Sequence, residues 1–379
     1  MLLTATPPAA AEQIAPGVTH TEIVRRSPPM RIHVVEAQPG TPAEVRLSNG
    51  VVDGSERPSA FGRGALAGVN GAFHVTAGPG IGDVVGAHVS AGELASEPVD
   101  GRSTLILSRD PLSRPRIAAL RFQGSVTAGG RKRLLDGIDR VRGMIWGCGG
   151  HGGDRPTQRP RHGIFCTDAS ELIQLTPRWG ARTPRVAGGA ELVVRDGLAA
   201  ERLRAGGGTP IPRDGYVLSG SGDAAAFLRR AAGQPVEVTT ALHDTSTGAP
   251  LLVSDLAGVV SGGPRLVERG RIAVRAKAEG FAALRVYGRF VAGRNPRTLA
   301  GVTATGGLLL VTVDGRRPGY SVGMGLPEAA RLMRSLGARD ALNLDGGGST
   351  TMVIRGRVVN RPSDRAGERA VGDGVFLPR

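Results

Sequence analysis

The sequence predicts an α+β fold, a mixed or antiparallel β-sheet core with a few helices packed on it. Three observations carry that expectation. Short runs alternating apolar and polar residues recur along the chain, each closed by a Gly-, Asn-, Asp- or Pro-containing turn. Only two stretches, Asp223 to Ala232 and Leu326 to Leu336, combine a helical period with start and stop signals. Helices also fail to alternate with strands as a doubly wound sheet requires. With 379 residues, 40% of them hydrophobic, the chain can bury one large core or two smaller ones.

Residues 1–20 read as the remnant of a secretory signal or a disordered N-terminus. Small residues at Ala9 to Ala11 suit a cleavage site, but the apolar run before them is shorter than an h-region. Residues 21–110 read as a β-rich first part: strands at Ile32 to Ala37, Glu44 to Leu47, Ala65 to Val69 and Thr104 to Ser108, with a hairpin between Gly82 and Leu94. Residues 111–190 read as an irregular Arg- and Gly-rich insert. Within it Cys148 and Cys166 bracket a loop and could close it as a disulfide in an oxidising compartment, two free thiols being the alternative. His151 and His162 lie in or beside that loop without the spacing of a zinc site.

Residues 191–379 carry the clearest elements. A hairpin turns at Asp196-Gly197, strands follow at Tyr216 to Ser219 and Val236 to Leu242, and a strand from Gly258 to Val267 is interrupted at Ser261-Gly262-Gly263-Pro264. A second hairpin joins Leu299 to Thr305 with Leu308 to Val313. Leu326 to Leu336 is the best helix, with Pro327 and Glu328 in its first turn and Gly337 after it. It feeds a strand, Leu342 to Asp345, that stops on a carboxylate before Gly346-Gly347-Gly348-Ser349. An isolated glycine run is more often a turn. Here bare backbone amides, a carboxylate and hydroxyls meet in one loop, which suits an anion.

Charge narrows the function. The chain has a net charge of +15, and its only lysines are Lys132 and Lys277, so the excess is arginine, a rigid fork for carboxylate or phosphate as well as a habit of GC-rich genomes. Aromatics are 3% and no helix carries a basic stripe, which argues against nucleic acid. No apolar run of membrane-spanning length occurs, so an integral membrane segment is not expected. Two motifs are decoys. Gly319-Tyr320-Ser321-Val322-Gly323 has the letters of a nucleophile elbow, but Pro318 precedes it and no histidine follows it. No Gly-Lys-Ser/Thr follows a glycine run, so there is no P-loop.

Gly68-Val69-Asn70-Gly71-Ala72-Phe73, Val260-Ser261-Gly262-Gly263-Pro264, Asn295-Pro296-Arg297-Thr298, Val313-Asp314-Gly315-Arg316, Leu342 to Thr350, Asn360 to Asp364 and Gly367-Glu368-Arg369 together resemble the phosphodiester glycosidase family. The resemblance runs from about Gly68 to the C-terminus. The chain departs from it at His74, where the family more often carries an aromatic, and in the arginine-rich insert.

The resemblance implies hydrolysis of the C1–O bond of a sugar 1-phosphodiester, one like an N-acetylglucosamine 1-phosphodiester, in a secreted or cell-envelope setting. The partner is then a glycan or sugar-phosphate, on an envelope polysaccharide for example. A phosphate leaving group is stable as an anion, so a carboxylate and a cationic clamp suffice. The carboxylate candidates are Asp345, Asp314 and Glu368 in that order. Arg297, Arg316 and Arg369, with the Gly346, Gly347, Gly348 and Ser349 amides, suit the clamp. Asn70, Gly71, Ser261, Gly262, Thr298 and Asn343 complete the substrate-binding set. A metal requirement is not legible; a divalent ion held at Asp345 or Asp314 would by its oxygen ligands be calcium. A non-catalytic module for anionic cell-wall polymer and a glycosidase for neutral glycans are the alternatives, and oligomeric state is not legible.

Overall fold

Alternation along the strands decides how this chain packs. We describe residues 11–146, 155–156, 165–201, 203–281 and 287–379 of a computed structural model. Its central sheet runs, edge to edge, Glu12–Ala15, Val18–Arg26, Pro29–Ala37, Leu308–Val313, Arg297–Thr303, Ala338–Asn343, Arg265–Glu268 and Arg271–Ile272, all antiparallel. Successive side chains point to opposite faces of a strand. Val34, Leu309, Val311 and Val313 therefore meet one core, whereas Val35, Leu308 and Leu310 meet another.

The first face is covered by the helix Leu326–Ser335, which buries Leu326, Ala329, Ala330, Leu332 and Met333, a stripe at helical spacing. The opposite face is covered by other sheets. Val69, Met352, Ile354, Val375 and Leu377 come from a five-stranded sheet ordered Arg357–Val358, Met352–Ile354, Ala65–Asn70, Asp373–Pro378, Glu44–Leu47. Leu105, Leu107, Ile117 and Val260 come from a third sheet built on Ser103–Ser108, Arg116–Ala128, Val236–Asp244 and Leu256–Ser261. A fourth sheet, with Leu172–Leu175, Ala190–Arg195 and Gly215–Gly220, packs against the helix Gly222–Ala231.

This overturns the α+β expectation. The molecule is mostly β, 45% strand against 11% helix, with a sheet curled as a half-barrel. The two longer helices are ten residues each and cover only patches, so sheet must pack on sheet to bury the rest. The segment 111–190 is a principal cause. Read as irregular, it contributes the thirteen-residue strand Arg116–Ala128 to the third sheet and Leu172–Leu175 to the fourth. Cys166 is buried on the short strand Phe165–Thr167, while Cys148, His151 and His162 lie outside the described residues, and with them the disulfide and zinc readings.

Turn chemistry fares better. Asp196-Gly197 and Arg355-Gly356 both take left-handed φ at two successive residues, the geometry that closes a two-residue hairpin. The expected helices occur at Gly222–Ala231 and Leu326–Ser335.

Candidate active site

Three central strands end on the same side. Arg297 opens its strand opposite Val313, where the neighbouring strand stops, and Leu299 on the other side faces Asn343, where the third strand stops. Antiparallel pairing thus gathers Arg297, the turn carrying Arg316 and the turn carrying Asp345 at one rim. The order also places the Arg297–Thr303 strand between the strands that precede Asp314 and Asp345. Those two carboxylates are therefore two strand spacings apart, roughly 10 Å, not side by side as their sequence context suggests.

A pocket of about 270 Å³ opens at this rim, lined by Phe73, Arg289, Phe290, Asn295, Arg297, Arg316, Asp345, Gly346 and Gly347. Asp345 is its one carboxylate. Its Oδ1 accepts a hydrogen bond from the Gly346 amide at 2.9 Å, and its Oδ2 faces His74 Nδ1 at 3.6 Å. Its side chain keeps 19% exposure while that of His74 keeps 2%, and Nδ1 of His74 has no hydrogen-bond partner. Desolvation pushes the Asp345 carboxyl above the ordinary range, opposed by His74, the nearby Ser349 hydroxyl, the Gly346 amide and Arg369. Ser349 makes no well-aligned hydrogen bond, so its effect is that of a nearby dipole.

Arg297 is a cation without a carboxylate. It is 1% exposed, and its guanidinium donates to the carbonyls of Met324 at 2.9 Å, Phe290 at 2.5 Å and Gly293 at 3.0 Å. Burial, and secondarily the like charge of Arg316, pull it down to about 10, still cationic at neutral pH. Arg316 donates to Asn295 Oδ1 at 3.1 Å. Two guanidiniums facing one cavity with no acid between them suit an anion.

The glycine run is a spacer more than a cradle. A Cβ on Gly346 would sit 2.7 Å from the Pro296 carbonyl, and one on Gly348 2.1 Å from an Arg369 nitrogen; Gly347 has φ 63°. Meanwhile the Gly346 amide is spent on Asp345, Gly347 on the Pro296 carbonyl and Ser349 on the Gly346 carbonyl. The arginines, not these amides, are the free donors at the pocket.

Several other expected site residues hold the rim together. Asn70 is fully buried. Its Oδ1 accepts from Thr298 Oγ1 at 2.7 Å and the Thr351 amide at 3.0 Å, while its Nδ2 donates to the Asp345 carbonyl at 2.7 Å. Asn343 Nδ2 donates to the carbonyls of Gly263 and Leu344, and a Cβ on Gly262 would strike the Asn343 carbonyl at 2.4 Å. Ser261 pairs with Thr104 at 3.1 Å. Asp314 is enclosed by Tyr320 Oη, Asn360 Nδ2 and the Arg361 amide, each at 3.0 Å. Glu368 accepts from the Ser59 amide and hydroxyl at 2.6 Å, and Arg369 forks onto Asp364 beside Gly348. The decoy Ser321 is consumed too: its hydroxyl donates to the Asp314 carbonyl at 2.6 Å.

Sequence reading missed Arg289 and Phe290 as pocket residues, His74 as the buried neighbour of Asp345, and a supporting relay behind them. Asp373 accepts from the Ala72 amide at 2.7 Å and pairs with His88 at 2.9 Å; His88 reaches Ser90 at 3.1 Å, and Arg178 donates to Ser90 Oγ at 2.5 Å. This buried chain pins the turn that carries Phe73 and His74, a role no local motif announces. Among the described residues no group of three or more His, Cys, Asp or Glu could hold a metal ion. A larger cleft, about 970 Å³, lies at the other end of the central strands near Gly306 and Leu308, but its Arg46 and Arg178 are engaged with Glu44 and with Ser90 and Glu93.

The β-built rim thus joins one carboxylate to arginines that, among the described residues, have no acidic partner. Residues 188–377 match the phosphodiester glycosidase family, and the chain belongs to that family. N-acetylglucosamine-1-phosphodiester alpha-N-acetylglucosaminidase of Mus musculus is 37% identical over 78 residues, which is 21% of this chain and 15% of the mouse protein. A solved structure of a Burkholderia pseudomallei protein regarded as exported is 33% identical, with a TM-score of 0.82 over 93% of this chain and 74% of that one. A hypothetical protein from Synechocystis, 21% identical, shares the fold with a TM-score of 0.76 over 98% of this chain and 64% of that one. No helix among the described residues is long and apolar enough to cross a membrane.

Proposed function

We propose that this protein hydrolyses the C1–O bond of a sugar 1-phosphodiester, releasing free sugar and a phosphomonoester. The observation that supports it best is the pairing of a single pocket carboxylate, Asp345, with Arg289, Arg297 and Arg316. A glycosidase for neutral glycans needs a second carboxyl to protonate its leaving group. A phosphate needs none, because it departs as an anion that the arginines can hold.

In this reading the phosphate sits between Arg297 and Arg316 and the sugar packs on Phe73 and Phe290. Water attacks C1 as the C1–O bond breaks. The bonding pair stays on the phosphate oxygen, and the water's proton passes to Asp345 and on to solvent. Asp345 also faces the positive charge that grows on the sugar ring. In this proposal the reaction takes place outside the cytoplasm, a reading that the likeness to a protein regarded as exported supports.

Hydrolysis of an N-acetylglucosamine 1-phosphodiester in water enriched with heavy oxygen tests the bond assignment. Cleavage at C1–O leaves the phosphomonoester unlabelled by ³¹P NMR. Label in the phosphate would assign a phosphodiesterase instead, and binding without release of either product across a panel of sugar 1-phosphodiesters would favour a non-catalytic module.

A further inference from the structure

The pocket holds more positive charge than a phosphodiester can neutralise. Arg289, Arg297 and Arg316 reach it from the Tyr287–Ala292 helical turn, the start of the Arg297–Thr303 strand and the turn after Leu308–Val313. Nearby charges are paired elsewhere, Arg294 with Glu328 and Arg369 with Asp364. Among the described residues none of the three pocket arginines is paired with a carboxylate. Against them stands only Asp345, itself beside His74. A diester brings one negative charge. The monoester it leaves behind brings about 1.5 to 2 at neutral pH.

We propose that this pocket binds the released phosphomonoester more tightly than the diester, so that the product's second negative charge makes it a competitive inhibitor of the next turnover. The identity of the product rests on the function proposed above; the preference for a dianion rests only on the arginines. Arg289 is the residue that distinguishes the two states. Arg289 and Arg316 are both exposed, but Arg316 is held to Asn295 Oδ1 at 3.1 Å, and Arg297 is buried and held by three carbonyls. One anionic oxygen pair satisfies the two held guanidiniums, and the additional charge has Arg289 to meet. Continued flux then requires a reaction of the phosphatase class, or dilution, to remove the monoester.

The test is calorimetric binding of three probes to the full chain: methyl phosphate, dimethyl phosphate as the singly charged diester, and sulfate as an anion that is doubly charged throughout. At pH 7.5 methyl phosphate is expected to bind at least about fivefold tighter than dimethyl phosphate. From pH 5.5 to 7.5 its affinity relative to sulfate should rise at least about threefold, following a second ionisation near pH 6. The charged groups lining the pocket, Arg289, Arg297, Arg316 and Asp345, and those acting on Asp345 from behind it, His74 and Arg369, act on both anions alike, so the ratio isolates the ligand's charge. Arg289→Ala should reduce methyl phosphate binding more than dimethyl phosphate binding. Equal affinities for the two phosphates, or a pH-independent ratio to sulfate, would overturn the proposal. Binding that follows the expected pattern in a chain that hydrolyses no diester would sink the proposed function and leave the dianion site standing.

Discussion

Asp345 is a carboxylate held at some cost, and its chemistry follows from that. With its carboxyl raised by desolvation, the folded state favours the protonated form; stability from this residue is present below the ordinary aspartate range and is lost as pH rises through the raised value. Asp345→Asn keeps an acceptor for the Gly346 amide but carries no charge. At pH 7.5 it is expected to unfold at the same urea concentration as the parent or a higher one, while diester turnover falls about 10²–10⁴-fold. In the parent, the acidic limb of kcat/KM should lie above the usual aspartate pKa, because activity needs the ionised form. Arg316→Ala is the cleaner arginine test. Arg316 already sits at φ 59°, and alanine retains the Cβ, so backbone strain is unchanged. Diester turnover should fall about 10²–10³-fold with an unchanged melting temperature. These residues stand in contiguous motifs, which made Asp345, Arg297 and Arg316 legible in the sequence. His74 and Arg289 were not, because nothing local distinguishes a histidine buried against a carboxylate, or an arginine that faces a pocket, from one that faces water. Asp314 and Asn70 stand in motifs of the same kind, and only the structure shows how fully hydrogen bonds occupy them, Asp314 with Tyr320, Asn360 and Arg361 and Asn70 with Thr298, Thr351 and Asp345.

At the scale of elements, the glycine turn and the long strand were read unequally well. Strand ends, hairpin turns and the Leu326–Ser335 helix follow local rules of period and punctuation, so their positions were visible. Arg116–Ala128 alternates in its middle, burying Leu120 and Phe122 in one core while exposing Arg121 and Gln123, whereas Ile117, on the other face, is buried in another core. Prolines before it and the glycine- and arginine-rich composition after it hid the pattern. The turn at Gly346 to Gly348 was visible, but its packing was not: the glycines leave room for Arg369, Asp364 and Pro296, and the Gly346 and Gly347 amides are bonded to the Asp345 carboxylate and the Pro296 carbonyl. Gly348→Ala would force a methyl onto Arg369 and Asp364. We expect a loss of about 1–3 kcal/mol in urea unfolding together with a displaced Asp345 and reduced kcat, whereas Gly356→Ala, with open space around it, should leave kcat unchanged.

Across the whole molecule, buried acids set the response to pH. Desolvation raises Asp136 to about 7 and pushes Asp83 and Asp139 well upward, Asp139 despite the Thr176 hydrogen bonds and Asp83 despite Arg140. A carboxyl raised on folding stabilises below its unfolded pKa and loses that contribution as pH climbs to the folded value. Asp136→Asn, which keeps an oxygen for the Leu172 amide at 2.7 Å, should therefore flatten the fall in stability between about pH 4 and pH 7; an unchanged slope in urea titrations would sink that account. The fold class itself was misjudged because it depends on which sheets face each other, and that is settled by contacts between distant segments. The five-stranded sheet shows how distant. Ala65–Asn70 lies between Met352–Ile354 and Asp373–Pro378, and Asn70 clasps Thr298, Asp345 and Thr351. During synthesis, the strand Ala65–Asn70 must wait for partners made roughly 280 and 300 residues later. Until Asp373–Pro378 is made, Ala65–Asn70 lacks one of its two neighbours, so in the growing chain the strand that carries Asn70 stays only partly paired long after its own synthesis.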